Sequence, residues 1–214
     1  MFDSLVPIAA ILVILTSFTS LGIRNWRISF TLLAVQFIGA TLLITQSWSI
    51  QMSFTILISG VIGCLILSMA VINNPFYDNN RTQKKGQLFR SLFSLPENHQ
   101  AKEMSALFYY IAGVFIVLLT LSISGTLAKK VDEINQLTIW ITLILVSFGL
   151  LEIGLSSLPL VILHGLLTLI SGFEIIFSFY DTAVATAGIL SLFNLGAAIV
   201  GAYLISTESM EEIR

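Results

Sequence analysis

Between Arg27 and Asp78 the chain has no Asp, Glu, Lys or Arg, and a second uncharged stretch fills the interval from Glu103 to Lys129. No soluble domain can hide runs of that length, because every surface it builds must be hydrated. A helix of about 20 apolar residues, rising ~1.5 Å per residue, crosses the ~30 Å hydrocarbon core of a bilayer. In lipid the backbone must satisfy its own hydrogen bonds, so such runs read as helices. The composition agrees: 56% of residues are apolar and only 10% charged, with a mean hydropathy of +0.95, against about 25% charged in soluble domains. The chain reads as an all-α integral membrane protein.

Seven spans are expected, at about residues 4–23, 28–45, 52–72, 105–124, 137–155, 158–179 and 182–205. They divide the chain into a three-helix part (1–72), a loop (73–104), a four-helix part (105–206) and a tail (207–214). Asp3 and the lack of a basic leader make the first span a retained helix and not a cleaved signal. Let side A be the side of the N-terminus. Side B then receives Arg24, Arg27, Arg81, Lys84, Lys85, Arg90, Lys102 and Arg214, and side A only Lys129 and Lys130. Basic residues mark the cytoplasmic side. The N-terminus is therefore expected outside and the C-terminus in the cytoplasm of a prokaryotic inner membrane. In the loop, Leu88, Phe89, Leu92 and Phe93 share a helical face beside Arg90 and Lys84-Lys85. That pattern suits a short interfacial helix or a plain soluble linker.

The charge balance argues against nucleic acid as a partner, since the formal net charge is only -2 and phosphate backbones select basic surfaces. One cysteine, Cys64, permits no intrachain disulfide or thiolate metal centre. His164 is the one histidine at membrane depth, and no phosphate loop, zinc helix or nucleophile elbow occurs. No cofactor, no metal and no catalytic site of the chain's own is expected.

The candidates for function are polar residues inside spans, which are costly in lipid and so mark sites by default. Glu152, near the end of the fifth span, and His164, near the start of the sixth, lie on opposite arms of a helical hairpin. Their depths differ by only ~3 Å at 1.5 Å per residue. They can pair, either as a proton relay or as a structural link between helices. Glu174, in Ser171-Gly172-Phe173-Glu174, is either buried in the bundle or wetted near side A. Gln36 and Asn194 sit mid-span and suit helix-to-helix hydrogen bonds. Asp181 is expected to N-cap the seventh helix. Gly60, Gly63, Gly165, Gly172, Gly188, Gly196, Ala197 and Gly201 offer close-packing surfaces, and Trp26, Trp48, Trp140 and Tyr180 fall near the interfaces as anchors.

Three segments resemble a known family. Ile8-Ala9-Ala10-Ile11-Leu12-Val13-Ile14-Leu15, then Gly22-Ile23-Arg24-Asn25, then Phe30-Thr31-Leu32-Leu33-Ala34-Val35-Gln36 look like the small K-type membrane subunit of respiratory complex I. They are similar too to its relatives in membrane hydrogenases and multisubunit cation/proton antiporters. The likeness covers about residues 5–70. It implies an accessory membrane subunit of an ion-translocating assembly, lying in the bilayer among larger membrane subunits. The family's glutamate of the second helix falls on Gln36, which cannot ionise, and its glutamate of the third helix falls where residues 60–67 hold no acid. A proton path would then pass through Glu152, His164 and Glu174. Two other classes are open on the residues alone: a stand-alone transporter or channel, and an assembly or anchoring protein that translocates nothing.

Overall fold

The computed structural model describes residues 6–22, 25–73, 99–129, 134–156 and 158–211, with side chains described from 108 in the fourth helix and to 207 in the last. Among these residues there are seven helices and no strand: α1 (Val6–Gly22), α2 (Trp26–Ile44), α3 (Ile50–Asn73), α4 (His99–Ala128), α5 (Gln136–Leu155), α6 (Pro159–Tyr180) and α7 (Val184–Glu211). Six of them are long and apolar enough to cross a membrane, and α1 is a shorter apolar helix of 17 residues. The expected helical membrane bundle is present. The segment at 86–95 proposed as an interfacial helix lies outside the described residues.

Several ends follow from local chemistry. The Asn25 side chain accepts from Arg27 N–H at 3.2 Å and that of Asn135 from Leu137 N–H at 3.1 Å, satisfying donors that an N-terminal turn leaves open. Pro159 opens α6, where its missing N–H costs nothing. Asp181 departs from its expected role. It is the C-cap residue of α6, and from there its carboxylate accepts from Ala183 N–H and from the Thr186 hydroxyl at the start of α7. The Thr186 hydroxyl, then the Ala183 N–H, hold its carboxyl below the usual aspartate value.

Hydrogen bonds between helix ends fix an alternating, up-and-down order. On side A, Ser47 donates to Ser178 and the Trp48 indole to the Asp181 carbonyl, each at 2.8 Å. On side B, the Tyr109 hydroxyl donates to the Leu155 carbonyl at 3.0 Å. Trp48 is buried, so it pins two helix ends together and is not part of an aromatic belt facing lipid. The helices form two rows. α1, α2 and α3 lie side by side, as do α5, α6 and α7, and the rows stack like on like: α1 on α5, α2 on α6, α3 on α7. α4 closes one end against α1 and α5.

Helices pack most closely between α5 and α6. A Cβ built on Gly149 would lie 2.6 Å from the Gly165 carbonyl oxygen, and one on Gly165 would lie 2.8 Å from both the Gly149 carbonyl oxygen and the Glu152 Cβ. Gly172 meets Val146 in the same seam, and Gly201 of α7 faces Leu163. Two of the expected close-packing glycines do not behave so. Gly188 and Gly196 are exposed and have nothing within 4 Å of an added Cβ, and Gly188 borders the open cleft between α3 and α7.

Candidate functional site: a polar layer across the bundle

The apolar core is not continuous. One cluster, in the side-A half, joins Ala40 and Leu43 of α2 to Ile56 of α3, Leu145 of α5, Ile175 of α6 and Ala187 of α7. The other, in the side-B half, joins Leu33 and Phe37 of α2 to Leu67 of α3, Leu167 of α6 and Ala198 of α7. On three of these helices buried polar residues lie where the clusters meet: Ser59 on α3, Thr168, Ser171 and Glu174 on α6, and Asn194 on α7. Gln36 of α2 is buried just to the side-B side of that level, between Leu33 and Phe37. The spacing of 164, 168, 171, 174 and 178 along α6 keeps its polar side chains on one inward face. A polar layer thus crosses the bundle near mid-membrane.

Two carboxyl groups anchor it. Glu152 and His164 are 4% and 2% exposed, and His164 Nδ1 lies 2.6 Å from Glu152 Oε2. The hairpin register that allowed this pair in the sequence is realised, because Gly149 and Gly165 let α5 and α6 approach at that depth. Ser20 of α1 donates to Glu152 Oε1 at 2.7 Å, so three helices meet on one carboxylate. Glu174 is fully buried, which removes the reading of a wetted side chain near the surface. Its Oε1 accepts from Asn194 Nδ2 at 2.7 Å, and the same amide reaches Ser59 Oγ at 3.4 Å.

The structure therefore forms the expected Glu152–His164 pair and separates Glu174 from it. Glu174 is ten residues from His164 along α6, about 15 Å at 1.5 Å per residue, and its partner is Asn194. Gln36 was expected to bond across helices, yet among the described residues neither its Oε1 nor its Nε2 has a partner. Leu33 and Phe37, which flank it on α2, belong to the side-B apolar cluster. Ser20 and Ser59 went unnoticed in the sequence. A serine in an apolar helix commonly bonds its own preceding turn, as Ser59 also does to the Ile56 carbonyl at 2.9 Å, so residue type gives no hint of a second partner.

The layer is also under-bonded. His164 Nε2, Thr168 Oγ1, both Gln36 amide atoms, Glu174 Oε2 and Asn194 Oδ1 are buried with no hydrogen-bond partner within the described protein. Each such atom costs about 1–3 kcal/mol, and buried polar groups are ordinarily satisfied by protein or by ordered water. Thr168 lies between His164 and Glu174 along α6, and the His164, Glu174 and Asn194 atoms belong to the two centres themselves. Such an arrangement suits internal water bridging two acid centres, and proton relays within membranes are built from such carboxyl and imidazole groups.

Comparison with protein families, curated proteins and solved structures finds no match to this chain. The functional reading rests on the residues and their geometry.

Proposed function

We propose that the chain is an accessory membrane subunit of an ion-translocating assembly of the complex I, membrane hydrogenase or cation/proton antiporter kind. It packs between larger membrane subunits and contributes a proton path through Glu152, His164 and Glu174. The polar layer is the observation that carries this reading. A subunit that merely filled space would gain by an apolar core at that depth, since unpaired polar atoms are destabilising there.

Two further features support it. The membrane windows of α4 and α7 are only 17% and 22% buried within the chain, which leaves two broad lateral faces for neighbouring helices. The bias of basic residues to side B supports a cytoplasmic C-terminus. A mild-detergent purification through a C-terminal tag tests the proposal. The expected result is a large particle holding antiporter-like or redox subunits in fixed proportion. A lone 23.5 kDa chain or a small homo-oligomer, reproducible across detergents, would contradict it and favour a stand-alone transporter.

A further inference from the structure

Glu174 is fully enclosed, yet a groove leads toward it from side A. A cleft of about 500 Å³ runs between α3 and α7. It begins at the side-A ends of both helices, at Ser49 and Val184, and is lined at its deep end by Ile62 and Leu195, with Ser59 just short of that end. Gln51, Thr55 and Ser59, spaced four residues apart, line it along α3, so their polar groups share one helix face. Ser191 lines it from α7, and its buried hydroxyl has no partner among the described residues. The last rung, Ser59, is the hydroxyl that meets the Asn194 amide bonded to Glu174.

We infer that the α3–α7 groove is a water-filled half-channel that connects side A to the Glu174 carboxyl by way of Ser59 and Asn194. Polar side chains in a spanning segment face a bundle interior or a water-filled cavity, and a site holds water when it is roomy and offers several polar partners. The groove is roomy, and Ser49, Gln51, Thr55, Ser59 and Ser191 form a polar stripe along a wall that is otherwise mostly apolar. An acyl chain would fill it without satisfying Gln51 or the unpartnered Ser191 hydroxyl. The Glu152–His164 pair lies at the other end of the polar layer, toward side B, so the groove gives Glu174 its own connection to the opposite side. The inference rests on Glu174 as a centre of the proposed path, but its test reads water access alone and is independent of translocation.

Adjacent residues of equal depth provide the test. On α3, Thr55 lines the groove and Phe54, 50% exposed, points outward; on α7, Ser191 lines it and Leu192, 68% exposed, points outward. Each is changed singly to cysteine in a Cys64→Ala background, in the full chain in native membranes. A permanently charged thiosulfonate, whose sulfur is attacked by a thiolate with loss of sulfinate and which therefore needs a hydrated, ionisable thiol, should modify Thr55→Cys and Ser191→Cys about tenfold or more faster than Phe54→Cys and Leu192→Cys. Equal rates within each pair would overturn the inference. So would reaction of the groove positions with a membrane-soluble maleimide alone, which would identify the occupant as lipid. Either variant of a groove pair suffices if the other fails to fold.

Discussion

Gly165→Val is expected to lower stability by about 3 kcal/mol or more, the upper range for overpacking a core that cannot relax. The atoms an added side chain meets are the Gly149 carbonyl oxygen and the Glu152 Cβ, both at 2.8 Å. Backbone cannot rotate away as the end of a side chain can, so α5 and α6 must separate. Separation also pulls Glu152 from His164, because the same approach sets their 2.6 Å contact. The checks are a fall in the thermal midpoint and in monodisperse yield. Gly188→Ala and Gly196→Ala, where an added Cβ meets nothing within 4 Å, should stay within about 0.5 kcal/mol of wild type.

The second large effect concerns the Glu152–His164 pair. Two scales compete. Side-chain hydrogen bonds between membrane helices average ~0.6 kcal/mol and reach ~1.7, whereas removing one partner of a buried ion pair costs about 3–5 kcal/mol. At 4% and 2% exposure and 2.6 Å, with Ser20 as the other partner of the carboxylate, the larger scale should win. Glu152→Leu strands a buried imidazole and is expected to cost about 3 kcal/mol. The double change Glu152→Leu, His164→Leu removes both polar groups, so its loss should fall short of the summed single losses by about 1–3 kcal/mol. Additive losses would show that the two side chains are not coupled.

The spanning pattern was open to sequence reasoning because it depends only on the solvent. Hydropathy marks the bilayer, however, and not the helix. α4 begins at His99 and α7 runs to Glu211, beyond the apolar spans expected at 105–124 and 182–205, since polar residues can continue a helix into water. Glu152 and His164 could be paired in advance because a tight hairpin has a one-dimensional register. Glu174 and Asn194 could not, since the closeness of α6 and α7 at that depth depends on how α6 seats against α2 and α7 against α3. Glycines carried little information by type alone: Gly149, unmarked in the sequence, lies in the closest seam, while Gly188 and Gly196 border open space. Trp48 likewise had the composition of a lipid anchor and turned inward, because the Asp181 carbonyl at the end of α6 lay within reach of its indole.

The central claim is that ions move through this polar layer, and translocation measured with Glu174→Gln tests it most directly. Glutamine keeps the acceptor for Asn194 and the size of the side chain but cannot release a proton. In membrane vesicles holding the full assembly, the initial rate of proton translocation should drop on the order of 10²-fold, the scale of a positioned proton-transfer group, with subunits present in wild-type proportion. Glu152→Gln should lower it in the same direction. Wild-type rates in both variants, in assemblies of normal composition, would contradict the account and leave the two carboxyl groups as structural links between helices.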